Sequence, residues 1–281
     1  MEDRIMSEKK FLGGKNNNAY IVFYSAVMVI IVAIALAFTN QALKERQNEN
    51  RLNEKKDAIV ASLRLDKGTY DERINAYIVN EKGEKVVFED KTDEQLQSYI
   101  FEQLGSLAEA YKNKILIVFE DQETGEVVIP VTGKGLWGDI WGYVALKSDM
   151  NTIKGVIFDH KGETPGLGAE IATPNFQTQF TATTKQIYNE AGKFVSIDVK
   201  KGGGTKDNLH AVDAITGGTK TSDGLRNMLS DCLKQYDAFF KARQGKAVVA
   251  ECPEVKCPET EECAGQCPEV KCDKCTEVEN K

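Results

Sequence analysis

The sequence predicts an α+β protein: a single N-terminal transmembrane helix, then a globular domain with a mostly antiparallel sheet and a C-terminal helix. Three observations predict it. Residues 19–39 run without a charge. Short β-rich runs then follow one another without alternating regularly with helices, which argues against a doubly wound parallel sheet. Near the end, apolar residues recur at helical spacing over 225–240.

Taken in order, residues 1–18 form a short lead, and the 19–39 run as a helix would reach roughly 31 Å at ~1.5 Å per residue. That matches a hydrocarbon core of about 30 Å. Tyr20 and Tyr24 stand near one end, where amphipathic rings favour the interface. A cleaved signal peptide is the competing reading, but its apolar stretch is usually only about 7–15 residues. The run also lacks a small-x-small cleavage site, so it reads as a retained anchor. Basic residues flank both ends, Arg4, Lys9, Lys10 and Lys15 before and Lys44, Arg46, Arg51, Lys55 and Lys56 after, so charge does not set the orientation.

Residues 40–66 are polar, with Leu43, Leu52, Ile59 and Leu63 at helical spacing, and read as a juxtamembrane stalk. The domain is expected over 67–245. Its β-rich runs are 74–79, 85–88, 115–120, 127–131, 142–146 and 154–159, punctuated by turn residues such as Gly83 and Gly125. A helical pattern over 94–111 is weakened by Gly105; 175–181 suggests a short helix and 194–200 a strand. The terminal helix carries Leu225, Met228, Leu229, Cys232, Leu233, Tyr236, Phe239 and Phe240 on one face, with Ser222 and Asp223 placed to cap its start. Cys232 on that stripe reads as core.

The tail, 246–281, is acidic and cysteine-rich. It holds six of the seven cysteines, Cys252, Cys257, Cys263, Cys267, Cys272 and Cys275, and too few apolar residues to build a core. Disulfides or thiols, metal or iron–sulfur binding, and partner docking all remain open for it. Such crowding suits an oxidising compartment better than the cytosol. The net charge of −7 and the absence of a long basic run exclude electrostatic nucleic-acid binding, and two histidines leave little for a His-rich metal centre.

The chemistry-bearing stretch is Asp213-Ala214-Ile215-Thr216-Gly217-Gly218-Thr219-Lys220-Thr221-Ser222, running directly into the last helix. Glycines let backbone approach a ligand, the hydroxyls of Thr216, Thr219, Thr221 and Ser222 can bond phosphate, and a helix start adds N–H groups and a favourable dipole. As a bare pattern this is unspecific, and it is not a P-loop. The stretch resembles the flavinylation motif of the FMN-binding domain family, Asp followed by Ser/Thr-Gly-Ala-Thr. The resemblance implies FMN joined by a phosphoester to Thr219, installed by a flavin transferase that uses FAD, with Asp213, Thr216 and Gly217 matching and Gly218 replacing the usual Ala. Thr221 stays open as the competing acceptor.

A second patch joins it: Gly133-Lys134-Gly135-Leu136-Trp137, Trp141-Gly142-Tyr143 and Gly162-Glu163-Thr164-Pro165-Gly166-Leu167-Gly168-Ala169-Glu170. Together they are similar to the C subunits of the Na+-translocating NADH:quinone reductases over roughly 15–240. That resemblance implies an extracytoplasmic domain on a bacterial inner membrane, residues 1–18 in the cytoplasm, and electron relay among sibling subunits rather than direct NADH oxidation. Membrane lipid and the transferase would be its other partners. The glycines around Leu167 would let a flat apolar surface meet the flavin ring, with Glu163, Thr164, Gly166 and Gly168 beside it, although Thr164-Pro165-Gly166 also fits a plain tight turn. Trp137 and Trp141 are either core aromatics or shields for the ring. Two rivals remain: the G subunit of the related ion-translocating ferredoxin:NAD+ oxidoreductases, and a non-redox, membrane-tethered adaptor whose Thr-Gly loop merely caps a helix.

Overall fold

The computed structural model describes residues 18–205 and 207–250. The acidic cysteine tail beyond 250 lies outside the described residues. Helix α1 (Asn18–Ser62) carries the apolar run and the polar stalk as one unbroken element of 45 residues. It reaches about 67 Å at ~1.5 Å per residue. Its end is a Schellman arrangement: Arg64 sits at φ +60°, its N–H bonds Ala61 O at 3.0 Å, and Leu65 N–H bonds Val60 O at 3.0 Å. Ile59, Val60 and Leu63 at this end are buried in the domain, so the core takes in residues ahead of Lys67.

After the short α2 (Tyr70–Arg73) comes a five-stranded antiparallel meander: β1 (Ile74–Val79), β2 (Leu116–Asp121), β3 (Val127–Lys134), β4 (Asp139–Leu146) and β5 (Ile153–His160), in that spatial order. Between β1 and β2 stand α3 (Asp93–Gly105) and α4 (Leu107–Lys112). The expected single helix breaks at Ser106, just past Gly105. Thr92 and Gln95 close a capping box at the start of α3. The run 85–88 forms no strand; only Lys85 bridges to Val79.

Side chains on one strand alternate faces, and register then assigns each face a partner. Ala76, Phe119, Val128, Ala145 and Gly155 lie opposite one another in a single row. On that face Phe119 meets the rings of Tyr70 and Phe101, and Gly155 lies so close under Ser62 O that a Cβ would collide with it. The end of α1 therefore seats on bare backbone. On the opposite face Tyr77 meets Phe239 edge-on and Gly133 lies under Met228.

Past β5, a 3-10 turn (Gly168–Ala172), α5 (Pro174–Gln177) and α6 (Gln179–Ala182) lead to a small parallel pair, β6 (Asp198–Lys200) and β7 (Ala211–Asp213). The expected strand over 194–200 shortens to β6. Ser196 takes φ +58°, and the N–H groups of Val195 and Ser196 both turn to Ile187 O, which stops regular pairing. The terminal helical pattern divides as well, into α7 (Thr219–Gln235) and α8 (Asp237–Ala250). The bend falls at the buried Tyr236, whose hydroxyl donates to Ile117 O at 2.9 Å and lies 3.4 Å from the Tyr111 hydroxyl.

Candidate functional site

The site begins where β7 ends. Ile215 O accepts from Gly218 N–H at 3.0 Å, closing a turn whose third residue, Gly217, takes φ +78°, a region costly to any residue with a Cβ. Gly218 is the N-cap of α7, and no side chain caps it. The N–H groups of the first turn are therefore open to an acceptor from outside.

Ser222 is not the cap that its position suggested. It lies inside the helix, 2% exposed, and its Oγ accepts from Ile215 N–H at 3.1 Å, pinning the turn to the helix. Residues two apart on an α-helix point roughly 200° apart at ~3.6 residues per turn. Thr219 accordingly faces solvent, whereas Thr221 faces inward and is 1% exposed. Thr216 and Gly217 are exposed and Gly218 is buried. Of the four hydroxyls expected to meet a phosphate, Thr216 and Thr219 reach the surface; packing removes the other two.

Close approaches of backbone seat α7. A Cβ on Gly224 would collide with Lys134 O, and one on Gly133 would come within 2.7 Å of Met228 Cβ. Cys232 Sγ lies 3.3 Å from Thr132 O, and burial, the larger influence, pushes its thiol up to about 11. Cys232 is core, as its place on the stripe implied.

Glu163 joins the two sequence patches. It is 4% exposed. Its Oε1 accepts from Trp137 N–H at 2.8 Å and its Oε2 from the Thr221 hydroxyl at 2.6 Å. Burial works to raise its pKa, but the Thr221 hydroxyl and the N–H groups of Trp137, Gly138 and Leu136 outweigh burial and leave it lowered. A Cβ on Gly168 would strike both Glu163 Oε2 and Thr221 Oγ1, and one on Gly135 would strike Glu163 Oε1. These glycines make room for a buried carboxylate.

Thr164-Pro165-Gly166-Leu167 is the tight turn its composition allowed. Leu167 N–H bonds Thr164 O at 3.1 Å, Gly166 holds φ +75°, and Gly166 N–H bonds Glu170 Oε1 at 3.1 Å. The turn presents Leu167, 42% exposed, against the loop that enters α7: a Cβ on Gly217 would lie 2.7 Å from Leu167 Cδ2. Trp137, 71% exposed, and Trp141, at 36%, are surface residues, so their reading as core is overturned.

Asp213 is set apart from this cluster. Its N–H bonds Gln179 Oε1 at 2.9 Å and its carboxylate lies against Gly204. Sequence reasoning missed Lys185, fully buried behind it, with Nζ donating to Asn208 O at 2.5 Å. Burial lowers the Lys185 pKa and the Asp213 charge opposes that. Nothing in the polar run Thr183-Thr184-Lys185 signals an interior lysine.

These loops and this sheet define a class. Residues 135–234 match the FMN-binding domain family, which here stands behind a helix long and apolar enough to cross a membrane. The relatives narrow it. The C subunit of the Na+-translocating NADH-quinone reductase of Neisseria meningitidis serogroup B is 31% identical over 229 residues, 72% of this chain and 87% of its own. Its counterpart in Pseudomonas aeruginosa is 28% identical over 84% of this chain and 100% of its own. The crystal structure of the C subunit from Parabacteroides distasonis superposes with a TM-score of 0.59 at 35% identity, covering 70% of this chain and 96% of that one. The chain belongs to the C-subunit family of the Na+-translocating NADH-quinone reductases.

Proposed function

We propose that the chain carries FMN covalently on Thr219 and serves as an electron-transfer subunit of a membrane Na+-translocating NADH:quinone reductase. One observation carries the choice of residue. Of the two candidate threonines on α7, Thr219 is exposed at an uncapped helix start, while Thr221 is buried and already donates to Glu163. A phosphate on Thr219 Oγ1 would lie where helix N–H groups and dipole favour negative charge, with Thr216, Gly217 and Gly218 around it. The exposed apolar surfaces of Leu167 and Trp137 suit a flat ring, with Thr164, Gly166 and Gly168 shaping the loop beneath it. These residues fit FMN, which when bound takes up and returns electrons; the chain supplies placement and surroundings.

Attachment balances as a transfer from FAD by a flavin transferase. The Thr219 oxygen–phosphorus bond forms, the pyrophosphate bond breaks, AMP leaves, and the hydroxyl proton passes to the transferase or water. The other partners in this reading are sibling subunits of the complex and the lipid around α1. The membrane is a bacterial inner membrane, with the domain on its periplasmic side.

The test is mass spectrometry of the peptide spanning 211–226 from native, acid-precipitated protein. One FMN phosphoester on Thr219 is expected, and Thr219→Ala should abolish protein-bound flavin. Flavin surviving denaturation in that variant would end the assignment.

A further inference from the structure

We propose that Glu163 is a positioning residue that holds the ring-side loop 163–168 in register with the helix carrying the flavin, acting through Thr221 and the 136–138 backbone. The proposal rests on the attachment to Thr219 argued above. Three separate segments meet at Glu163: the hairpin turn after β3, the loop after β5, and the first turn of α7. Pairing of β4 with β5 links the first two and Gly224 of α7 packs on Lys134 O, yet these contacts do not tie all three to one group. Glu163 does, with one oxygen on Trp137 N–H at 2.8 Å and the other on the Thr221 hydroxyl at 2.6 Å.

The neighbouring residues are arranged around that carboxylate. Glycine at 135 and at 168 leaves the space in which both of its oxygens fit, since a Cβ at either place would collide with one of them. Thr221 points inward from α7, so its hydroxyl serves this bond and not a ligand. A buried carboxylate is costly unless every oxygen finds a donor, and here its hydrogen bonds are also what bring the loops together. Thr219, exposed on the other side of the helix, does not depend on the clamp for access. Tether and ring surroundings are thus controlled by different residues.

That separation gives the test. Full-length chain is co-expressed with an FAD-dependent flavin transferase, and three variants are compared with wild type: Glu163→Ala, Glu163→Gln and Thr221→Val. Covalent FMN on Thr219 should stay stoichiometric in all of them. In Glu163→Ala the visible circular dichroism of the bound flavin should fall roughly twofold or more, as expected for a ring whose supporting shell has loosened, with a shifted midpoint potential. Glu163→Gln should recover part of the signal, because its amide oxygen can accept from Trp137 and its amide nitrogen can donate to Thr221. Thr221→Val, which removes one bond at nearly constant volume, should show the same loss to a smaller degree. Unchanged flavin dichroism and potential in Glu163→Ala overturn the proposal; if that variant does not fold, an unchanged signal in Thr221→Val does so. A folded Glu163→Ala chain that carries no flavin also overturns it, since the clamp would then serve attachment. Wild type unlabelled at Thr219 instead overturns the attachment on which it rests.

Discussion

Cys232 shows how one side chain's surroundings fix its chemistry. It lies on the inward stripe of α7 with its sulfur directed at Thr132 O, and burial pushes its thiol up to about 11. The thiolate is the reactive species, so at neutral pH this residue should resist a maleimide in the native protein and label only on unfolding, as tryptic mapping would show. Rapid native labelling at Cys232 would mean that α7 is not seated on β3 as described. That residue's role was legible in the sequence because burial follows helical spacing. Glu163 was not: the residues it binds lie 26 and 58 positions away, and no periodicity reveals a contact across three loops. The same holds for Ser222. Its hydroxyl type and place at a helix entry suggested a cap, yet the helix begins at Thr219, which turns Ser222 inward to the backbone of Ile215.

Among elements, α2 is tied to the end of β2 by an ion pair between a half-buried arginine and a buried aspartate. Arg73 meets Asp121 through Nε at 3.1 Å and Nη2 at 2.6 Å, and Thr124 adds a hydroxyl at 2.7 Å. Burial works to raise the Asp121 pKa; the bonds from Arg73 and Thr124 and from Glu123 N–H overcome it and leave the value lowered. A carboxylate with a lowered folded pKa contributes stability that is present above its unfolded pKa and lost as pH falls through the folded one. Asp121→Asn should therefore cost about 1.5–3 kcal/mol at neutral pH, the range for hydrogen bonds to charged groups. Its thermal midpoint should also decline less steeply than wild type below about pH 4, where free aspartate titrates. Parallel declines in the two proteins would show that the pair contributes nothing. The strands of the meander were legible from β-rich runs bounded by turn residues, and four of the six expected runs match β2 to β5 closely enough to share most residues, with β1 matching throughout. The run 85–88 failed because it packs Phe88 against Tyr99 instead of extending a sheet. Composition cannot distinguish those uses of an apolar pair.

At the scale of the whole molecule, the anchor and the domain are one mechanical unit. A polar, charged stretch following an apolar span suggested a stalk ending near Lys67, since Ile59 and Leu63 are sparse among charges. In the structure, α1 runs on until Ser62 O rests over Gly155, and Ile59, Val60 and Leu63 lie at 0–1% exposure. Lys56 secures the same turn from outside, with its Nζ 2.6 Å from Asp71 and over the Tyr70 ring. Full burial of such side chains contributes about 1.5–3 kcal/mol each. Three of them make up a large part of the roughly 5–15 kcal/mol that holds an ordinary domain together. A chain beginning at Gln41 should thus be free of the membrane and unfold cooperatively in urea, whereas one beginning at Lys67 should lose most of its stability and its near-ultraviolet dichroism. The contrast separates two pictures of the anchor. If both chains unfold at the same urea concentration, α1 is a tether attached to a self-sufficient domain; if only the longer one folds, the rod that leaves the bilayer is itself part of the core on which the loops around Glu163 rest.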